Sequence, residues 1–177
     1  GGILIGLIGI MLSKTLADKY GKRNVFGASL FVSTLFIILF YFYPPQSVGL
    51  MFGSQILHMF FYGISTPILW TMIADVADYS EWKNNRRATA IIFSAMMVGL
   101  KGGLSIGSSL LTLILGIFNY QPKTELAQSA ETINGIKMLV SIFPAIPFLI
   151  AVGLLAFYEI NKKMELQLEA ELKERRK

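Results

Sequence analysis

Residues 88–118 read ATAIIFSAMMVGLKGGLSIGSSLLTLILGIF, an apolar run interrupted by a single charge, Lys101. A helix of roughly 20 apolar residues is enough to cross a lipid bilayer, and this run is longer. The whole chain has 54% hydrophobic and 15% charged residues, whereas soluble domains have about 25% charged residues. The sequence therefore predicts an all-α membrane protein.

Similar apolar runs lie on both sides of this one. They predict three more spans, at residues 25–43, 48–73 and 133–158. Residues 1–13 are apolar but too short for a span, and no initiator methionine precedes them. We interpret them as the last part of a helix, so that the sequence is a fragment. The predicted domain is a transmembrane bundle over residues 1–158.

Basic residues alternate between the connections. The chain has 16 lysines and arginines, and most of them lie in residues 14–24, 75–87 and 159–177. Residues 44–46 and 119–132 hold few. Lysine and arginine are retained on the cytoplasmic side during insertion. The pattern predicts a multi-pass protein of the cell membrane with a cytoplasmic C-terminus, and it explains the net charge of +5 without a nucleic-acid partner.

A charged tail, residues 159–177, follows the last span, and acidic and basic residues alternate along it. This pattern is typical of a solvated helix, and we expect the tail to continue the last span into water. Contact between its basic residues and anionic lipid is the alternative.

A short basic motif, Asp18-Lys19-Tyr20-Gly21-Lys22-Arg23, occupies the first connection. A glycine in such a turn permits a backbone conformation that other residues avoid. Asp18 is expected to cap a helix end or to pair with a basic residue across the loop. A generic basic loop is the alternative.

A second charged motif, ADVADYSEWK at residues 74–83, leads on to Arg87. Its three acidic residues are spaced i, i+3, i+6, which places them near one side of a helix. With opposite charges on a facing loop they would form a network that breaks and re-forms as the protein changes state. The alternative is an ordinary charged loop that fixes topology. The predicted network comprises Asp18, Arg23, Asp75, Asp78, Tyr79, Glu81 and Arg87.

These motifs together resemble the glycoside–pentoside–hexuronide:cation symporters, a family of the major facilitator superfamily. Residues 18–23 resemble the loop signature of the superfamily, with Lys14 in place of its leading glycine. The closer resemblance rests on residues 74–87, on Lys101-Gly102-Gly103 and on residues 115–120. It implies an incomplete C-terminal bundle of a twelve-helix major facilitator fold, from the end of helix VIII through helix XII.

Lys101 is the leading candidate for a substrate or coupling site. A charge at the centre of a span costs about 2.5–3.5 kcal/mol on insertion scales, so it should face a cavity or a partner. A lysine that reaches to the membrane surface is the alternative. Ser94 and Ser105 lie on the same helix face as Lys101 and suggest a water-filled pathway. The resemblance implies that this lysine belongs to the region that binds sugar and cation.

The span at residues 48–73 carries further candidates. Gln55, His58 and Tyr62 recur every three or four residues and could donate hydrogen bonds to sugar hydroxyls, while Tyr62 or Trp70 could stack on a sugar ring. A buried structural histidine is the alternative for His58. The chain has one histidine and no cysteine, so we predict no histidine- or cysteine-based metal site.

Three glycines of the run at residues 88–118 recur every fourth residue: Gly99, Gly103 and Gly107. This spacing allows another helix to approach closely. We therefore predict a helix-packing face there, separate from the face that carries Lys101.

No acidic residue lies deep in any predicted span, although a buried lysine needs a counter-charge. We therefore expect acidic residues of a missing N-terminal half to face Lys101. No group of residues predicts catalysis or a resident cofactor, so the protein is not expected to be an enzyme. The resemblance implies cation-coupled sugar symport by alternating access, with Na⁺, H⁺ or Li⁺ bound mainly by that half. The alternatives are a major facilitator transporter of a non-sugar solute and a non-transporting membrane sensor.

Overall fold

The computed structural model describes residues 2–44, 46–120 and 129–175. Within these ranges the chain forms seven α-helices and no strand. The helices are α1, Gly2–Tyr20; α2, Lys22–Phe42; α3, Val48–Asn84; α4, Thr89–Ile117; α5, Ala130–Val140; α6, Ile142–Leu154; and α7, Lys162–Arg175. Gly1, most of the predicted connection 119–132, and Arg176 and Lys177 of the predicted tail lie outside the described residues.

Four described segments are long and apolar enough to cross a membrane, which confirms the number of full-length spans that the sequence predicts. They are Lys22–Phe42, Val48–Asn84, Thr89–Ile117 and Ala130–Phe157. The helix predicted at residues 48–73 is longer than expected. It continues to Asn84 and ends where Asn85 adopts a left-handed backbone, with φ 52°. The acidic motif at residues 74–83 is therefore helical.

The basic motif forms a sharp corner in place of the predicted loop at residues 14–24. Helix α1 continues to Tyr20, and α2 begins at Lys22. Gly21, between them, has φ +86°, a conformation that residues with a Cβ rarely adopt. This confirms the special role predicted for the glycine.

Helix α3 lies at the centre of the bundle, with α1 and α2 packed along it. Six buried apolar side chains form the core between α2 and α3, and Phe148 and Ala151 of α6 pack against them. The six are Val25, Phe26, Leu30, Ile64, Ile68 and Met72. Because lipid is as apolar as these side chains, close packing rather than removal from water holds such helices together.

Glycines bring α1 and α3 into backbone contact. A Cβ on Gly9 would lie 2.3 Å from the carbonyl oxygen of Phe60, and a Cβ on Gly63 would lie 2.3 Å from that of Gly6. Neither space admits a methyl group. The close helix contact is therefore made by these glycines, whereas a Cβ built on Gly99, Gly103 or Gly107 would meet no other helix within 4 Å in the described part of the chain.

The last predicted span, residues 133–158, is broken into two helices. α5 ends at Val140 and α6 begins at Ile142, and Ser141 between them has φ −124° and ψ −73°. The irregularity agrees with the prolines in this span, because a proline lacks the N–H that helix continuation requires.

The tail does not continue the last span as one helix, so that expectation is wrong, although most of its described residues are exposed or half-buried. The helical path ends before Tyr158, which is extended, and a new helix starts where the Oδ1 atom of Asn161 accepts a hydrogen bond from the Met164 N–H at 3.0 Å. Leu168 and Leu172 of α7 are only 4% and 3% exposed. Two leucines four residues apart form an apolar stripe on one side of an otherwise charged helix, which allows α7 to fold back onto the bundle.

We expect Gly63→Ala to lower the free energy of unfolding by about 1–3 kcal/mol, because the added methyl group forces α1 away from α3. Thermal unfolding in detergent measures the effect. Gly53→Ala is the matched control, since it lies on the same helix and its added Cβ would meet no other helix within 4 Å among residues 2–44, 46–120 and 129–175. Equal melting temperatures for the two variants would contradict the close contact.

Candidate functional site

Most of the charged side chains in the described residues lie at one end of the bundle. We call this end of the bundle the charged end. It comprises the corner at Gly21, the end of α3 at Asn85, helix α7 and the charged residues next to them. Lys22 lies at its centre: the Nζ atom is 2.8 Å from both carboxylate oxygens of Asp75 and 2.8 Å from Oε1 of Glu165. Lys22 and Asp75 are only 22% and 16% exposed. Because these side chains are largely buried, their ion pairs are stronger than pairs on an open surface.

Lys22 was not among the residues that the sequence singled out. Its carboxylate partners come from α3 and α7, which are distant from it along the chain. No local spacing could reveal such a contact. The basic motif around Gly21 was the available signal, because it concentrates positive charge in one connection and the acidic motif was expected to pair with opposite charges on a facing loop.

A cavity of about 750 Å³ lies beside Lys22. Its walls are formed by the charged ends of α2 and α3 and by the buried side of α7. The lining residues are Lys22, Asp75, Asp78, Glu165, Leu168, Glu169, Leu172 and Lys173. Charged groups of both signs face this space, so it is suited to ion pairs that rearrange.

Arg87 forms the second centre of the charged end. Its guanidinium lies 3.9 Å from Oδ1 of Asp78 and 3.8 Å from Oε2 of Glu81. The Tyr79 hydroxyl donates a hydrogen bond to Glu159 at 3.2 Å. The structure thus brings Asp78 and Glu81 of the predicted network together with Arg87, whereas Asp75 pairs with Lys22 and Tyr79 with Glu159. Arg87 is 55% exposed, so each of its pairs contributes less than about 1 kcal/mol.

Arg23 and Asp18, the other predicted network residues, contact the end of the last span and the start of the tail, Arg23 through its side chain and Asp18 through its backbone carbonyl. The Arg23 guanidinium donates a hydrogen bond to the carbonyl of Ala156 at 3.4 Å. The carbonyl of Asp18 accepts a hydrogen bond from the Lys162 ammonium. They therefore help to fix the tail, a contact that the sequence did not predict.

Lys101 lies on α4, in which no described residue is buried. Ser94 and Ser105 are exposed on the same helix. Hydroxyl groups further along the helix donate hydrogen bonds to backbone carbonyls of the same helix. The hydroxyls of Ser108 and Ser109 both donate to the carbonyl oxygen of Ser105, at 3.0 and 2.9 Å. The polar face therefore exists on a helix surface that the described residues leave uncovered, and its role remains a prediction.

The candidates on α3 occupy different environments. His58 is 9% exposed, and its Nδ1 atom shares a hydrogen bond with Oγ of Ser33 on α2, at 2.7 Å. This contact joins α2 to α3, which agrees with the alternative that His58 is a buried structural histidine. Tyr62 and Trp70 are each 41% exposed, and Gln55 is half-buried.

Tyr62 is held between two rings. It stacks on His58 with 5.8 Å between ring centroids and on Phe148 of α6 with 6.0 Å. The stack links α3 to α6 and fixes the position of the phenol. His58 therefore helps to hold the Tyr62 ring in place, whether or not His58 itself contacts a solute.

A family model described as MFS/sugar transport protein matches residues 2–162. The chain belongs to this family. The match confirms the helical bundle of the major facilitator type and the resemblance drawn from the acidic motif and Lys101. The protein is therefore a multi-pass membrane protein of a family of secondary transporters.

Three relatives show how far the similarity extends. "Putative glycoside/cation symporter YagG" of Escherichia coli (strain K12) is 28% identical over 169 residues, 96% of this chain and 36% of the relative. The inner membrane symporter YicJ of the same strain is 34% identical over 82% of this chain and 31% of its own length. The isoprimeverose transporter of Lactiplantibacillus pentosus is 29% identical, with 90% and 33% covered. The chain thus spans about a third of the length of these relatives.

We expect Asp75→Asn to lower the free energy of unfolding by about 1.5–3 kcal/mol, because it removes a charged hydrogen-bond partner from the shielded ammonium of Lys22. Thermal unfolding in detergent at neutral pH measures the change. Asp78→Asn is the matched control on the same helix. Its carboxylate is 38% exposed and 3.9 Å from Arg87, so its loss should cost less than about 1 kcal/mol. A larger effect for Asp78→Asn would contradict the central place of Lys22.

Proposed function

We propose that the chain is the C-terminal part of a cation-coupled sugar symporter that works by alternating access. The observation that carries the proposal is Lys101 at the middle of α4, on a polar face of a helix that is otherwise apolar. A charge at that depth is costly unless it faces water or a partner. Membership in the MFS/sugar transport protein family supports a sugar as the solute.

Lys101 has two tasks in this proposal. Its ammonium donates hydrogen bonds to sugar hydroxyls, together with the hydroxyls of Ser94 and Ser105. It also pairs with acidic residues of an N-terminal half, which supply most ligands of the coupling Na⁺, H⁺ or Li⁺. Binding of the cation there would compete with Lys101 for the same carboxylates, and this competition would couple cation binding to sugar binding.

Aromatic and amide groups of α3 complete the sugar site in this proposal. Tyr62 is exposed yet fixed between two rings, so it offers a flat surface with little loss of side-chain entropy. Trp70, two turns further along the helix, offers a second surface, and Gln55 offers an amide. Flat aromatic rings suit the C–H faces of sugars, while the amide suits their hydroxyls.

The charged end faces the cytoplasm of the cell in this proposal, with α7 on that side. The excess of lysine and arginine there supports the orientation. The network of Asp75, Asp78, Glu81 and Arg87 would close this side of the transporter when the pathway opens on the other. The pairs of Arg87 with Asp78 and Glu81 are exposed and weak enough individually to break during each cycle, whereas the pair of Asp75 with Lys22 is stronger.

Counterflow of labelled sugars in proteoliposomes tests the proposal. We expect Lys101→Ala to reduce counterflow by roughly 10-fold or more, because a hydrogen bond from a charged group contributes about 1.5–3 kcal/mol. Ser109→Ala, on the same helix, is the control, because the Ser109 hydroxyl is engaged by its own backbone. Replacing sodium with choline and changing pH identify the coupling cation.

Unchanged counterflow in Lys101→Ala would remove the lysine from the site. Absence of counterflow for every glycoside, pentoside and hexuronide tested would favour a non-sugar solute. If the rate of counterflow stays the same when sodium is replaced and the pH is changed, the result would contradict cation symport but would leave sugar transport in place.

A further inference from the structure

Helix α7 is docked on the bundle by an apolar contact. Leu168 and Leu172 are 4% and 3% exposed, whereas Leu166 on the outer side of the same helix is 58% exposed. Ala77 of α3 is 2% exposed and Ile160 before α7 is 7% exposed. A short, highly charged helix is only marginally stable by itself in water. Burial of its apolar side against the bundle therefore stabilises it.

Directional contacts fix the register of the docked helix along α3. The indole N–H of Trp82 donates a hydrogen bond to Oε2 of Glu171 at 2.6 Å. Arg175 donates to the carbonyl of Trp82 at 3.2 Å and to Oδ1 of Asn85 at 3.1 Å. Hydrogen bonds from Trp82 and Gln167 hold the pKa of Glu171 below its ordinary value, so it is ionised at neutral pH.

The start of α7 is fixed to the corner between α1 and α2. Lys162 donates hydrogen bonds to the carbonyls of Asp18 and Lys19, the latter at 3.0 Å. A Cβ on Gly21 would lie 3.0 Å from Cβ of Lys162, so the corner leaves just enough room for the tail. Helix α7 therefore contacts the ends of three helices at once.

One ammonium links this docked tail to the acidic motif. An ammonium has three N–H donors, and Lys22 has three carboxylate oxygens at 2.8 Å, two from Asp75 and one from Glu165. The position of the Lys22 ammonium is therefore set from both sides. Loss of Glu165 would leave Asp75 as the only close anion in this set and would open the cavity between α7 and α3.

We propose that α7 is a latch on the charged end and that Lys22 is the positioning residue through which it acts on Asp75. Docked, α7 holds Lys22 in place and keeps Asp75 paired beside the cavity. Released, it exposes the leucine stripe and lets Lys22 and Asp75 take new partners. The effect of the latch on the transport cycle rests on the proposed function, whereas the docking is a property of the chain itself.

Thiol labelling tests the latch directly, because the chain has no cysteine. In the protein reconstituted in proteoliposomes, Leu172→Cys should react with a water-soluble maleimide at least about tenfold more slowly than Leu166→Cys, which corresponds to about 1.4 kcal/mol of protection. Adding Glu165→Gln should raise the rate at Leu172→Cys by about the same factor. Glu174→Gln, the same charge change at an exposed position of α7, should leave it unchanged.

A double-mutant cycle separates Lys22 from a general loosening of the tail. If Glu165 acts through Lys22, combining Lys22→Gln with Glu165→Gln should label Leu172→Cys no faster than Lys22→Gln alone. Additive rates would overturn the role of Lys22, and equal labelling of Leu172→Cys and Leu166→Cys would overturn docking. Neither outcome depends on solute, so failure of sugar counterflow would leave these results intact.

The link to transport has its own readout. Saturating amounts of a sugar that shows counterflow should change the labelling rate of Leu172→Cys by a measurable factor and leave that of Leu166→Cys unchanged. An unchanged rate at both positions in an actively transporting protein would show that α7 is a fixed cover, and the latch would be refuted.

Discussion

A lipid bilayer offers no hydrogen bonds, and every other feature of this protein depends on that constraint. The backbone must satisfy itself, so the spans are helices. Hydroxyl groups inside them follow the same rule: Ser29 donates to the carbonyl of Val25 and Thr34 to that of Leu30, each at 2.7 Å. Most charged side chains lie at one end, where carboxylates, ammonium groups and guanidinium groups pair with each other. Lys101 instead lies at the middle of a span, and a charge placed there at such a cost implies a function.

The charged end and the face of α4 that carries Lys101 differ in how many of their contacts come from this chain. At the charged end, Lys22 finds its anions within the chain, and α7 covers the junction of α1, α2 and α3. On α4, by contrast, none of the described residues is buried, and among those residues no other helix lies within 4 Å of a Cβ built on Gly99, Gly103 or Gly107. A chain that spans about a third of its relatives is expected to present such faces. This contrast supports the proposal that an N-terminal half completes the sugar and cation site.

The sequence predicted the spans well, because a long apolar run has few alternatives. It also predicted that Gly21 turns the chain and that the acidic motif forms one side of a helix. It failed where distant segments meet. The backbone contact of Gly9 with α3 depends on helix geometry that spacing alone does not specify. The docking of α7 was missed because two leucines are a weak signal within a charged segment, although their four-residue spacing was visible. Lys22 was overlooked because both of its partners lie far along the chain.

The central claim is that Lys101 faces a water-filled pathway within the membrane. Because the chain has no cysteine, Lys101→Cys can be compared with Leu110→Cys, which lies half a turn around α4. We predict that a membrane-impermeant thiol reagent modifies Lys101→Cys in proteoliposomes, that a transported sugar slows the reaction, and that Leu110→Cys stays unmodified. Equal inertness of both positions would place Lys101 against lipid or protein and would contradict the account.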